Sequence, residues 1–560
     1  SAAPRCAPTL ASALAEAAAL MADARQSLAS ARKNEAMREL LRTAGWQWAG
    51  AMLLGLLLLK WSRHATQPAF GIAASVALWS AAAYAGRVPW PFSGSRGFEL
   101  ARADLAPWSA PAPFVLALAG AAALLLIVGL SRRQPAAAMP QALSSRIGYP
   151  GLVLATGLGW LLLLELSAHG HPGNRYLALY HHGHLWLGMG VLCVLLFLRQ
   201  PLLRALAWAL SVGGEALRGA QRRLGMHRTL LATLLLTGAA LAAFGLSLSN
   251  MRQLTSELGR IWLIVGGAWF FFLRGGPLAE RLARAGPAGV SMLRYVGPLA
   301  FVAAVLVAAM LITRDMGPLL IACYAAGAML AASVAMWWHQ RSGRAAAASV
   351  LAVALFAAWA CATTLALLRL GTIDSVTAAR LESLAAPFAS TNDQLALVQW
   401  FQRAAPADGF GLGAVPWCGY SPGSGGCGGV PAQIHSDYSF TAIVGVFGMA
   451  AAWAAAIGCA LWLHRLVRHH GRVTRGEPRL VPVGGRLLHD GQAFLSWIGV
   501  AWVVLTLCQL AVTVAGNLAV LPLTGVTFPF VSFGMTSLVV NMAFLALCLN
   551  VDVPARSSDG

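Results

Sequence analysis

The sequence predicts an all-α polytopic membrane protein, and three observations carry that expectation. The 560-residue chain is 58% hydrophobic and only 11% charged, about half the charge of an average soluble domain. Apolar runs of 17 to 25 residues recur along almost its whole length, each long enough to cross a bilayer. From residue 148 onward the arginines crowd into alternate loops, as they do when loops lie on two sides of a membrane. A soluble globule has no core large enough to hide so many apolar runs.

Apolar runs bounded by charges or by Pro and Gly place spans near 44–60, 69–86, 111–130, 148–168, 177–198, 229–248 and 257–273. Six more follow near 295–313, 318–338, 346–368, 438–463, 491–514 and 530–550, thirteen in all. The stretch 201–213, "PLLRALAWALSVG", is too short and too rich in flanking arginine to span, and reads as an interfacial helix. An Ala-rich tail of mixed charge, 1–43, precedes the first span.

Charge sets the orientation. Loops 199–228, 274–294, 339–344 and 465–486 hold eighteen arginines, whereas the intervening loops hold six: Arg175, Arg252, Arg314, Arg369, Arg380 and Arg403. The richer set belongs inside. That puts the long segment 369–437 on the outer face and the tail 551–560 in the cytoplasm. The tail 1–43, with Arg25, Arg32, Lys33, Arg38 and Arg42, fits this alternation poorly, and its side is open.

A net charge of +20 would suggest nucleic acid in a soluble domain. Here the excess sits in short loops, where it orients helices and meets anionic lipid, and no basic patch interleaved with aromatics exists. Nucleic acid is therefore not expected as a partner. The nine cysteines include no CxxC, and six (Cys193, Cys323, Cys361, Cys459, Cys508, Cys548) lie inside expected spans as small packing residues. Cys418 and Cys427 flank the outer loop "CGYSPGSGGC" and are either a disulfide or two free thiols. The run "HGHPGNRYLALYHHGH" (169–184) reads as histidines at headgroup level, with a metal site as the alternative.

Acids are scarce, so their positions carry information. Glu165, Glu257, Asp315 and Asp437 lie in or beside spans, where a charge costs a few kcal/mol unless it is paired or faces water. Glu257 stands three residues before Arg260, so an ion pair is its plain reading; Asp315 adjoins Arg314 at a break between two helices and reads as a cap or ion pair, or as the lining of a polar cavity. Asp437 has no basic neighbour in sequence. It follows His435 and Ser436 at the mouth of a span, where it reads equally as a helix N-cap and as a catalytic carboxylate.

Two outer segments surround that position. One is long and Gly-rich, with Gly409, Gly411 and Gly413 alternating, a pattern that allows close backbone approach to a ligand. The other, "LPLTGVTFPFVSFGMTS" (521–537), breaks a helix with two prolines and two glycines at membrane depth. Broken backbone is tolerated there only in protein or around a cavity, which Thr524, Ser532, Thr536 and Ser537 would line with hydroxyls.

These segments resemble those of the SEDS family, the FtsW- and RodA-like peptidoglycan glycosyltransferases. "LPLTGVTFPFVSFGMTS" and "VPAQIHSDYSFTAIVG" (430–445) are the closest matches. "DQLALVQWFQRAAPADGFGLG" (393–413), "MRQLTSELGR" (251–260) and "TRDMG" (313–317) are weaker ones, in the family's order. The resemblance implies a ten-helix core over 148–550, including the outer loop 369–437, with about three additional helices in 44–147. It identifies the chain as a divergent member. Met535 stands where a small glycine is expected and Arg260 where a lysine is usual, and the outer Cys-Gly insert is uncommon.

What the resemblance implies is polymerisation of lipid II on the outer face of the bacterial cytoplasmic membrane, with Asp437 as general base. His435, Ser436, Arg403, Gly411, Gly413, Thr524, Ser532, Thr536, Ser537, Asp315 and Glu257 are then the candidate substrate-binding residues. No cofactor is fixed, although a divalent cation (Mg2+ or Mn2+) could help to neutralise pyrophosphate. The family works with a single-span class B penicillin-binding transpeptidase, which makes one an expected partner. Two other classes stay open: a flippase or scaffold for a polyprenyl-linked precursor, and another polyprenyl-glycan polymerase or ligase. The first lacks a continuous charged path at mid-bilayer. The second usually needs outer-loop arginines, and 404–437 has none.

Overall fold

In a computed structural model of the chain, the residues described are 149–168, 316–371, 394–411, 433–473, 480–483, 486–489, 491–521 and 525–549. Shorter pieces lie within 17–25, 181–212, 260–268 and 382–385, with single residues at 415 and 551. The spans expected at 44–60, 69–86, 111–130, 229–248 and 295–313 lie outside them.

The described elements with defined bounds are α1 (Tyr149–Ala168), α2 (Met316–Ser342), α3 (Ala345–Gly371), α4 (Gln394–Ala404) and α5 (Ser439–Val473). Strands β1 (Leu480–Val483) and β2 (Arg486–His489) follow, then α6 (Gly491–Asn517) and α7 (Met535–Leu549). Segments Ala346–Ala366, Ser439–Arg468 and Ala493–Asn517 are long and apolar enough to cross a membrane. The chain is an α-helical membrane protein. The 201–213 stretch is helical over 201–209.

One departure from the all-α expectation is small. β1 and β2 form a two-stranded antiparallel hairpin with Leu480 opposite His489 and Val483 opposite Arg486. It occupies the Arg-rich connection between α5 and α6, which had been expected to be plain loop. The β-branched and apolar residues of "LVPV" and "RLLH", around Gly484-Gly485, suit a short hairpin. Helix α4 lies inside the segment 369–437, which the sequence reads as a long loop. Its apolar residues Leu395, Val398 and Phe401 recur at helical spacing and are buried.

Helix α6 is the hub, packing against α2, α4, α5 and α7, while α1 packs on α5. Trp502 of α6 is fully buried. It lies edge-on to Phe530 at 6.4 Å and stacks on Phe544 of α7 at 6.5 Å, and Trp462 of α5 also meets Phe530 edge-on, at 5.3 Å. Glycines let α1 approach closely. A Cβ on Gly151 would strike Trp462, and one on Gly159 would strike the Val531 backbone. By contrast α3 leaves Val350, Val353 and Leu365 exposed, the pattern of a face toward lipid. Its α2 side is tied by Trp359 Nε1 donating to the Cys323 carbonyl at 2.8 Å and by the Tyr324–Thr364 hydroxyl pair at 2.6 Å.

Helix α6 ends in a Schellman-type turn. The Val520 N–H reaches the Ala515 carbonyl at 2.9 Å and the Ala519 N–H reaches Gly516 at 3.2 Å, with Ala519 at φ 57°. Glycine normally holds that left-handed position, because a Cβ there crowds the carbonyl. Ala519→Gly is therefore expected to stabilise the protein by about 1 kcal/mol, less the entropy a glycine adds to the unfolded chain. A higher midpoint of thermal unfolding in detergent would register it, and a lower one would refute the strain.

Candidate functional site

The site forms where the start of α5 meets the broken segment between α6 and α7. Gln433, at φ 62°, turns the chain so that its carbonyl accepts the N–H groups of Ser436 (2.9 Å) and Asp437 (3.0 Å). Helix α5 begins two residues later. Its N-cap position is Tyr438, whose carbonyl accepts the first intrahelical bond, from Ala442 at 2.9 Å. Asp437 thus stands one residue ahead of the capping position.

The facing segment is bound to this turn along its length. Phe533 N–H donates to the His435 carbonyl at 2.9 Å, and Ser532 Oγ donates to the Ser436 carbonyl at 2.6 Å. Ser532 Oγ also accepts the Phe528 N–H at 2.7 Å and is hydrogen bonded to Ser439 Oγ at 2.7 Å. Pro529 cannot donate a helical bond and Phe530 sits at φ 62°, so α7 starts only at Met535 rather than at 530. The non-helical stretch 525–534 that results covers Asp437.

Asp437 itself is 7% exposed, and Asp437 and Glu165 are the only buried carboxylates among the described residues. Its carboxylate lies over Gly525: a Cβ built there would stand 3.5 Å from Oδ2, and Gly525 is at φ 67° and exposed. Any side chain at 525 would be strained by that backbone conformation, and its Cβ would lie in van der Waals contact with the acid.

A polar column runs down from this point between α6 and α7. Gln509 Nε2 donates to the Thr527 carbonyl at 2.8 Å, and Thr513 Oγ1 donates to the Gln509 carbonyl at 2.9 Å and lies 3.1 Å from that of Val526. Thr527 and Ser537 hydroxyls are 3.4 Å apart, and Asn541 Nδ2 donates to Ser537 Oγ at 3.4 Å. Asn541 Oδ1 accepts Arg260 Nη2 at 2.8 Å and Trp502 Nε1 at 3.0 Å, which ties in the cation of the "MRQLTSELGR" segment.

Aromatic and imidazole rings form another wall. Phe533 has His435 edge-on at 5.6 Å and His184 at 5.2 Å, with His181 at 6.3 Å. Two histidines of the 169–184 run therefore face the broken segment. Among the described residues no group of three or more His, Cys, Asp or Glu is placed to hold a metal.

Burial lowers the pKa of His435 below the usual 6.5, so the neutral ring is the folded form. The unfolded chain then binds the extra proton first. The stability that His435 contributes is complete above about pH 6.5 and is lost as pH falls toward the folded value. Replacing His435 by Gln is expected to flatten that part of the acid limb of thermal stability. An unchanged limb would show that other groups set it.

Of the residues singled out from sequence, the structure brings Asp437, His435, Ser436, Ser532 and Ser537 together, with Thr536 half-buried beside Ser537. Arg403 is exposed on the last turn of α4. Gly411, at φ 81°, donates its N–H to the Val446 carbonyl at 3.0 Å. The close approach allowed by Gly409 is made to the α5 backbone: a Cβ there would stand 2.5 Å from both Gly448 N and the Val446 carbonyl oxygen. Gly413, Thr524, Asp315, Glu257, Cys418 and Cys427 lie outside the described residues. Sequence reasoning missed Gln402, Gln509, Thr513, Asn517, Thr527 and Asn541.

A family model, FTSW_RODA_SPOVE, described as cell cycle protein, matches residues 485–557. Over that segment the chain is similar to the FtsW/RodA/SpoVE family. No curated protein matches the chain. Among solved structures, it is similar to a chain of a peptidoglycan synthase complex in which polymerization and crosslinking are structurally coordinated. The identity is 17% and the TM-score 0.41, over 71% of this chain and 96% of that one. The FtsW/RodA-type segment comprises β2, α6, the broken stretch and α7. It supplies Asn517, whose Nδ2 donates to the Asp437 carbonyl at 2.9 Å, and Gly525, Ser532 and Phe533, which lie against the 435–437 turn.

Proposed function

We propose that the chain is an inverting glycosyltransferase that polymerises lipid II into β-1,4 glycan strands for cell-wall synthesis, in division or elongation. The observation that carries this reading is the enclosure of Asp437 by the FtsW/RodA-type segment. A buried carboxylate, at the end of α5 that the arginine distribution puts outside, meets the stretch that matches the family.

Asp437 accepts the proton of the acceptor sugar's 4-hydroxyl as that oxygen forms a bond to C1 of the donor. The bond from C1 to the pyrophosphate oxygen breaks, and its electron pair leaves with the polyprenyl pyrophosphate. Attack opposite an α-linked pyrophosphate gives the β product. The leaving group needs charge stabilisation rather than a proton, so a single base suffices. The N-terminus of α7 and Arg403 are the candidates for that role. Mg2+ or Mn2+ belongs in the assay as a partner of the pyrophosphate. A class B transpeptidase is the partner this reading expects.

The test is to purify the full chain, supply lipid II with a divalent cation, and look for glycan polymer that a muramidase degrades. Polymer with β-1,4 linkages supports the reading. Its absence, both alone and with a class B transpeptidase added, sinks it in favour of a transport or scaffold role.

A further inference from the structure

Asn517, the last residue of α6, is fully buried and uses all of its hydrogen-bonding capacity. Its Nδ2 donates to the Asp437 carbonyl at 2.9 Å and to the Thr513 carbonyl at 2.8 Å. Its Oδ1 accepts the Thr441 N–H at 3.2 Å and the Thr441 hydroxyl at 2.8 Å. Two carbonyls face the amide nitrogen and two donors face the oxygen, which fixes the orientation of the side chain.

Thr441 is the third helical residue of α5, and its N–H is one of the groups that an N-cap side chain ordinarily satisfies. Tyr438 occupies the N-cap position and is not a capping residue type. Asn517 thus supplies the cap from a different helix and, with the same amide, grips the main chain of Asp437. Gln402 of α4 closes the arrangement. Its Nε2 donates to Thr441 Oγ1 at 2.6 Å and to the Asn517 carbonyl at 2.9 Å. A directed chain of bonds therefore runs from the outer segment through Thr441 and Asn517 to the Asp437 carbonyl.

We propose that Asn517 is the positioning residue for the Asp437 carboxylate: its amide caps α5 in trans and holds the Asp437 main chain, so that the acid stays over Gly525. The assignment rests on the glycosyltransferase reading of Asp437. A shift of the Asp437 main chain carries its carboxylate along, and misplacements of about an ångström cost about 10²-fold in rate. Thr441 shares the capping contact but not the grip on Asp437, so the two residues separate positioning from capping.

The experiment compares wild type, Asn517→Ala, Asn517→Asp and Thr441→Val, each as the monodisperse fraction of the full chain, in lipid II polymerisation. Asn517→Asp keeps the size of the side chain and the acceptor toward Thr441, but sets a second oxygen against the Asp437 carbonyl. It carries the test should the alanine variant not accumulate. Expected is a fall in kcat of about 10²-fold for the Asn517 variants, with KM for lipid II within about twofold, and less than about fivefold for Thr441→Val. A purely structural Asn517 would reduce the yield of folded protein while leaving the kcat of the folded fraction at the wild-type value, and that result overturns the proposal. Polymerisation by wild type together with wild-type kcat in the Asn517 variants rejects the positioning role alone. No polymerisation by wild type rejects the glycosyltransferase reading and this assignment with it.

Discussion

Asp437→Asn is expected to reduce lipid II polymerisation by about 10²- to 10⁴-fold while leaving the protein folded. The substitution preserves volume and planarity. The described bonds that fix this turn are made by the main chain: the Asp437 N–H to Gln433, the Asp437 carbonyl to Asn517, and the neighbouring carbonyls to Phe533 and Ser532. What changes is the ability of the side chain to accept a proton. A general base acts only on the chemical step, so kcat should fall with little change in KM. The measurement is initial rate on lipid II against size-exclusion behaviour and thermal midpoint in the same preparation. Polymer from Asp437→Asn at the wild-type rate would remove Asp437 from the chemistry. Loss of both polymer and fold would make it a structural residue at the mouth of α5.

Much of the fold was legible because lipid imposes a simple code. Runs of about 20 apolar residues have few alternatives to a buried or spanning helix, and α1, α2, α3, α5 and α6 lie on the stretches so read. Their ends were less legible. Helix α5 continues to Val473 because "HRLVRHHGRV" is compatible with helix once the apolar run stops, whereas α7 starts late because Pro529 and Phe530 commit the chain to a turn. The hairpin at 480–489 was missed because its strands are four residues each, too short for an alternating pattern to stand out from loop. Helix α4 was not legible because its 11 residues are too few to span a bilayer, and the apolar spacing of Leu395, Val398 and Phe401 covers only two turns.

The site divides in the same way. Asp437 stood out because charge is rare in this chain, and Ser532 and Ser537 because they sit in a broken helix. The residues that hold the site do not stand out singly. Thr506, Gln509, Thr513 and Asn517 each look like one polar residue in an apolar span, yet their spacings of three, four and four put them on a single face of α6. Read as a stripe, they announce a polar surface inside the membrane that must be satisfied by something. What satisfies it was not legible, because Asn517 meets Asp437 and Thr441 across 80 and 76 residues of sequence, and Gln402 across 115.

Gly448→Ala and Gly409→Ala are expected to be among the most destabilising single methyl additions in the described structure, each costing about 3 kcal/mol or more. Helix α5 is kinked at Gly448, where φ is 85° and ψ 168°. The kink takes the Gly445 and Val446 carbonyls as partners for the outer segment: Phe410 N–H donates to Gly445 at 2.8 Å and Gly411 N–H to Val446 at 3.0 Å. Backbone at this depth has to be satisfied within the protein, so the loop replaces helical bonds that α5 has given up. The two glycines fill each other's space. A Cβ on Gly448 would run into the Ala407 carbonyl, and one on Gly409, itself at φ 77°, would stand 2.5 Å from Gly448 N and 2.6 Å from Phe447 N. Both contacts are with backbone, which cannot rotate aside, and left-handed strain adds about 1–2 kcal/mol to the overpacking. Gly458, in the same helix with open space at its Cβ, is the control: Gly458→Ala should be tolerated or mildly stabilising. Thermal unfolding of the three variants in one detergent decides the matter. Equal midpoints would mean that the outer segment is not clamped to the kink. A selective loss at 409 and 448 would establish the clamp that joins the loop carrying α4 and Gln402 to the helix that begins at Asp437.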